Sequence, residues 1–366
     1  MSDNVNRYRE IRKALDNMYP KQPKGNEARR LNTLAAIISG ITGSGSCQLP
    51  KIAGKVPDEN AAPASVEKRI KRWISNDSIE SETFFLPFAQ ALLISLGLSE
   101  IVLAMDGSTV GRGCVTLMIS VIYKKRALPL AYTVVRGKKG HFPEESHVGL
   151  VGEVANVIPE SAQKVIFLGD GEFDGVGLQK NLAERGWLYV CRTAYNTKIF
   201  WDGEEHRLNV LGVFTVPDSY RYIRNVLFTN KKYGPVTVVV WWAKGNKEPI
   251  YLVTNMRSPW EACQYYSKRF RIETFFSDQK SRGFNIHKSH ISDPDRLRRL
   301  MIGACLAYIW IVFLGTLATE QGWDRIIHRA DRCDLSLFQL GLSLLEYFLN
   351  YDIPVPVAFQ MFNPTL

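Results

Sequence analysis

Tyr266, Arg269, Glu273 and Lys280 are residue types that can act on a phosphate backbone, and they fall in one stretch of chain. Their spacing predicts a single helix from about 266 to 280. At about 100° per residue the four side chains would lie within roughly 60° of one another. One stripe would then carry a hydroxyl, a guanidinium, a carboxylate and an ammonium. The adjoining face carries Phe270, Phe275 and Phe276, which would anchor the helix to a core. The plainer alternative is a solvated face with i,i+4 ion pairs.

Two further carboxylates stand where α/β sheets place working residues, at the ends of short apolar strands. Ile101–Met105 runs into Asp106-Gly107, and Val165–Leu168 runs into Gly169-Asp170-Gly171. If those strands are neighbours, Asp106 and Asp170 converge, and Glu273 can complete the set. Three carboxylates in one place repel one another unless a cation joins them. Hard oxygen donors with room for water and phosphate suit Mg²⁺ or Mn²⁺. Two such ions can activate a water or a 3′-hydroxyl and stabilise the leaving oxygen. Taken singly, an Asp beside Gly is more often a turn or N-cap residue. Glu172 and Asp174 are rivals to Asp170, which stands first after its strand. Asp174 is better placed to cap the helix that follows.

The elements that must position these groups follow from patterning. The first ~95 residues read as helical and basic, with Leu31, Leu34, Ile38 and Ile41 on one helix face. Gly40 to Pro63 reads as a loop. Ser65 then caps a helix with Val66, Ile70, Trp73 and Ile74 inside and Lys68, Arg69, Lys71 and Arg72 outside. That basic face suits either a DNA groove or solvent. From about residue 100 the order is β-β-β-α-β-α-β: 101–105, Cys114–Tyr123, Leu128–Val135, a helix over Ser146–Val157, 165–168, a helix over Val176–Glu184, and Trp187–Arg192. Arg207–Phe214, Tyr220–Phe228, Pro235–Trp242 and Pro249–Thr254 then read as strands of a β-rich insertion. A last amphipathic helix spans about Leu335 to Leu349.

The chain has 366 residues, 46% hydrophobic and 22% charged, which excludes a disordered protein. A net charge of +10 favours a polyanionic partner, nucleic acid first. The six cysteines show no zinc-ligand spacing and suit a reducing compartment. Met1 to Lys13 is too polar for a secretory leader. Met301 to Ala318 carries no charge and has the length of a short membrane span. A helix buried in an α/β core is the favoured reading, and a membrane anchor the alternative.

These residues resemble a DDE transposase of the bacterial insertion-sequence type, in the insertion sequence four family. Its signature is Tyr-x2-Arg-x3-Glu-x6-Lys, and Tyr266, Arg269, Glu273 and Lys280 match every position. The resemblance covers about residues 95–320. It implies an RNase H-like mixed sheet whose first and fourth strands carry Asp106 and Asp170. Residues 1–95 would be a helical DNA-binding region and 96–200 the first part of the core. The β-rich insertion would span 201–255, with 256–366 the rest of the core and the C-terminal helices. It implies metal-dependent cleavage of transposon ends and strand transfer, by cut-and-paste and in many members through a hairpin. The cofactor would be Mg²⁺, in two ions, with Mn²⁺ as a substitute. The partners would be double-stranded DNA, as terminal inverted repeats and target, and a second copy in a homodimer. The setting would be the bacterial cytoplasm at the nucleoid, with no membrane. A flipped base would need an aromatic platform, for which Trp241, Trp242 and Tyr251 are candidates. Tyr266, Arg269 and Lys280 would hold phosphates, and the basic loop with Arg136, Lys138, Lys139 and His141 would touch backbone. A two-metal nuclease without strand transfer, or a catalytically silent domesticated DNA-binding protein, are the competing readings.

Overall fold

The computed structural model describes residues 3–18, 23–58, 61–138, 140, 142–329 and 331–361. Six helices come first: α1 (Asp3–Asp16), α2 (Gly25–Ser44), α3 (Leu49–Ala53), α4 (Pro63–Ile74), α5 (Ser81–Phe84) and α6 (Leu86–Leu96). Then come β1 (Glu100–Gly111), β2 (Cys114–Tyr123), β3 (Arg126–Arg136), α7 (Glu144–Ala155), β4 (Lys164–Gly169), α8 (Val176–Glu184) and β5 (Leu188–Thr193). A run of short elements follows: β6 (Lys198–Trp201), β7 (Glu204–Arg207), α9 (Asn209–Val213), β8 (Ser219–Phe228), β9 (Tyr233–Trp242) and β10 (Ile250–Thr254). The chain closes with α10 (Pro259–Tyr266), α11 (Arg271–Gln279), α12 (Pro294–Glu320), α13 (Asp324–Ile327) and α14 (Leu337–Asn350).

All ten strands share one mostly antiparallel sheet, in the order β3-β2-β1-β4-β5-β10-β9-β8-β6-β7. β1, β4 and β5 run parallel, because helices α7 and α8 carry the chain back between them. The β-rich segment extends this sheet through β10, which pairs antiparallel with β5. Arg207–Phe214, expected as a strand, is instead the end of β7 followed by α9. Its apolar residues Val210, Val213 and Phe214 are exposed, so no sheet face selects the extended form. The expected loop 40–63 contains the end of α2 and all of α3. Ser65 lies inside α4, which starts at Pro63, although the apolar face Val66, Ile70, Trp73 and Ile74 is buried as expected.

The 27-residue α12 is the one described helix long and apolar enough to cross a membrane, and its apolar window is entirely buried in protein. It packs against α2, α4, α14 and β3, so the N-terminal helices and the sheet share one core. Close backbone approach of α12 and α14 explains Gly315 and Gly341. A Cβ at Gly315 would meet the Leu337 carbonyl of α14, and one at Gly341 would meet the Ile311 carbonyl of α12. Arg299, which reads in sequence as a flank of the apolar run, is buried. It donates to the carbonyls of Ile74 and Ile79 and to Asp77 Oδ1 (2.6 Å), closing the end of α4.

Asp278 is buried on α11 with Arg126 Nη1 2.9 Å away. Burial pushes its carboxyl up to about 6, against the pull of Arg126 and Arg282. The folded value therefore lies above the unfolded one, about 3.9. The native state binds the extra proton between those values, and the stability it contributes is lost as pH rises through about 6. Wild type should gain thermal stability relative to Asp278→Asn as pH falls from 7 toward 4.5. A melting-temperature difference that does not change with pH would rule this out.

Candidate active site

β1 and β4 pair in parallel up to Ala104 opposite Leu168. The same offset carried two residues on brings Asp106 level with Asp170. Neighbouring strands lie about 4.8 Å apart, so the two carboxylates share one end of the parallel pair. Asp106 is not at the end of its strand, as the sequence suggested. β1 continues to Gly111 while paired with β2, and Asp106 is opposite Met118. What ends there is β4, whose departure leaves Asp106 at an opening in the sheet.

Each aspartate is held by a backbone N–H close by in sequence. Asp106 is buried and Oδ1 accepts from Gly107 N at 2.7 Å. Asp170 Oδ1 accepts from Glu172 N at 3.0 Å. The turn after β4 can fold tightly because position 169 lacks a side chain: a Cβ there would lie 2.5 Å from Phe173 Cβ. Phe173 is fully buried against the edge of His147, which pins the turn and so aims Asp170. Asp174 does not cap α8. Its Oδ2 accepts from Thr193 Oγ1 at 2.6 Å, and the cap comes from Glu144, which accepts from Leu178 N.

The signature does not lie on one helix. α10 ends at Tyr266 and α11 begins at Arg271, with i→i−3 bonds such as Arg269 N to Tyr266 O (3.0 Å) between them. Tyr266 and Arg269 are therefore nearly eclipsed, as in a 3₁₀ turn. Neither Gly nor Pro marks this break. It lets Tyr266 approach Asp170 while Arg269 reaches Asp106. Phe275 and Phe276 are buried anchors, but Phe270 is exposed beneath the Arg271 guanidinium.

Arg269 ties the carboxylates together. Its Nη2 is 2.6 Å from Glu273 Oε1 and its Nη1 3.8 Å from Asp106 Oδ2. Burial disfavours its charge, but Tyr266, Glu273 and Asp106 together move its pKa up. The Tyr266 hydroxyl is raised mainly by burial. Arg269 and Arg192 draw it down, and Asp170 pushes it up. Lys280, just past α11, donates from Nζ to Ser108 Oγ at 2.6 Å, two residues beyond Asp106.

A cleft of about 670 Å³ opens beside Asp170, walled by Arg192, Tyr195, Glu248 and Tyr251. Of the three aromatic candidates it is Tyr251 that faces this space. Trp242 Nε1 donates to the Asn246 carbonyl, and Trp241 packs half-buried against the core. Arg136, the last residue of β3, and Lys138 just beyond it are exposed, with Arg136 Nη2 donating to Ser292 O at 3.3 Å. Lys139 and His141 lie outside the described residues. The loop returns at Phe142, which packs beside Gly107 and donates from its backbone N to Glu172 Oε1. Arg192, Ser108 and His147 escaped the sequence reading. Arg192 closes a predicted strand, so the rule that singled out the aspartates points to it as well.

Among the described residues no three His, Cys, Asp or Glu side chains are gathered closely enough, as they stand, to hold a metal ion. Arg269 takes the cationic place between Asp106 and Glu273, with Nε and Nη1 buried and lacking hydrogen-bond partners. The donors are all hard carboxylate oxygens, a set that fits a hard divalent cation and not zinc or copper.

No curated protein matches this chain. A family model, the transposase DDE domain, matches residues 100–310, from the first residue of β1 into α12. The chain belongs to the transposase DDE domain family.

Proposed function

We propose that the protein is a cut-and-paste DNA transposase of the insertion sequence four type, which cleaves element ends and joins them to a target. The observation that carries this is the level placement of Asp106 and Asp170, with Glu273 linked to Asp106 through Arg269. The strand order β3-β2-β1-β4-β5 with its parallel centre supports an RNase H-like core. Asp106, Asp170 and Glu273 would hold Mg²⁺, with Mn²⁺ as a substitute. That metal would activate the attacking hydroxyl and stabilise the leaving oxygen. Arg269 is buried enough to hold a phosphate with little competition from water, and Lys280 and Tyr266 flank the same opening. Tyr251 is the preferred stacking platform if a hairpin with a flipped base forms. Two ends imply a homodimer acting on double-stranded DNA, in the bacterial cytoplasm at the nucleoid.

The test is a plasmid carrying the gene with its own flanking DNA, incubated with the protein and Mg²⁺. Excised DNA joined to a target supports transposition. Cleavage without joining favours a nuclease, and binding with neither product favours a silent DNA-binding protein. Arg269→Ala and Lys280→Ala should each weaken binding to the ends and reduce the salt slope by roughly 0.9 for each phosphate no longer gripped. Normal cleavage with an unchanged slope in both would leave Arg269 as a structural partner of Glu273 and Asp106, and Lys280 as one of Ser108.

A further inference from the structure

On the far side of α11 from Glu273 lies a second cleft, of about 730 Å³. Arg271 and Thr274 line it, and Glu273 is about 200° around the helix from Arg271. Lys124, Lys125 and Arg126 of the β2–β3 turn and Arg282 complete its basic wall. Its acids are already engaged. Glu320 pairs with Lys124 at 2.6 Å, and Asp334 pairs with Arg332 at 2.8 Å and His328 at 2.7 Å. Lys125 and Arg271 have no ion-pair partner among the described residues. Arg126 and Arg271 stand on the same cleft wall, so an incoming anion would face both cations. Lys124 and Lys125 have φ of 41° and 68°, a left-handed turn that ordinarily selects Asn-Gly. Lysines held there at a cost point to a use for their charge. The N-terminus of the 14-residue α14 opens on the same cleft and adds its positive end.

We propose that this cleft binds the phosphate backbone of duplex DNA, as a site separate from the carboxylates. The inference rests on the transposase reading. A helix with its side chains is about 10–12 Å across, close to the major-groove width of about 12 Å. One strand at Glu273 therefore places the other within reach of Arg271. That match in spacing favours duplex DNA over an acidic protein.

Cys333 lines the cleft and is exposed, whereas the other five cysteines are buried, so it reports occupancy directly. The experiment uses the full chain and a random-sequence duplex, with maleimide labelling of Cys333 and binding measured against salt. The duplex is expected to slow Cys333 labelling at least several-fold. The double variant Lys125→Asn, Arg271→Gln should lose that protection and reduce the salt slope by about 1.8, for two phosphates released. Asn suits the left-handed turn, and the melting temperature should hold. Asp106→Asn, lacking cleavage, should keep the protection. An unprotected Cys333 in wild type, or an unchanged slope in the double variant, overturns the cleft while leaving the transposase reading intact. A wild-type protein that binds no duplex overturns both.

Discussion

Asp106→Asn, Asp170→Asn and Glu273→Gln are each expected to slow DNA cleavage by roughly 10²- to 10³-fold or more, the scale of removing one preorganised charged group from a transition state. The fold should survive all three. Asn at 106 keeps an oxygen to accept from Gly107 N, and Arg269 keeps Glu273 as a partner. Glu273 is exposed, so its replacement should alter stability by less than about 0.5 kcal/mol. Asp170 is half-buried, and Asn can still accept from Glu172 N. Single-turnover nicking of end DNA with Mg²⁺, beside a thermal melt, separates chemistry from folding. Wild-type cleavage in any one variant would remove that residue from the site. Loss of cleavage together with loss of the melting transition would mean instead that the carboxylate is structural.

Ile309→Lys or Ile311→Asp should abolish folding. Both positions are fully buried in α12, between helices on one side and the sheet on the other. An unpaired buried charge costs about 3–5 kcal/mol, a large share of a typical total of about 5–15 kcal/mol. Ile94→Lys on α6 is the control, because that isoleucine is 59% exposed and should tolerate the change. The observable is the yield of monodisperse protein without detergent and its melting curve. Native protein recovered only from membrane fractions would restore the reading of α12 as an anchor.

Much of this site was readable from local pattern. β2 and α8 were placed at their observed bounds because turn residues bracket each periodic run. The two aspartates stood out because strand ends in α/β sheets collect working groups, and the four signature residues because type and spacing coincide. The direction of each side chain was not readable, since a one-dimensional period assumes an unbroken element. Tyr266 and Arg269 fall in a tightened turn that has no Gly or Pro to announce it. Only the positions of Asp170 just after β4 and Asp106 on β1 require the chain to bend there.

The strand-end rule that singles out Asp106 as a candidate misdescribes its setting. Its own strand continues, and the opening is made by β4, some sixty residues later, which stops at Gly169. Strand pairing fixes such a point, and the pairing partner is absent from any local window. The same holds for Arg299, a flank in sequence that becomes a buried clamp on α4, and for Arg126, which closes over Asp278. It holds also for the basic cleft, whose walls come from a hairpin turn, α11 and the start of α14. Residue types and spacing determined which groups stand as candidates for the site. Burial and pairing between distant segments decided where those groups meet, because desolvation and charge complementarity act through space and not along the chain.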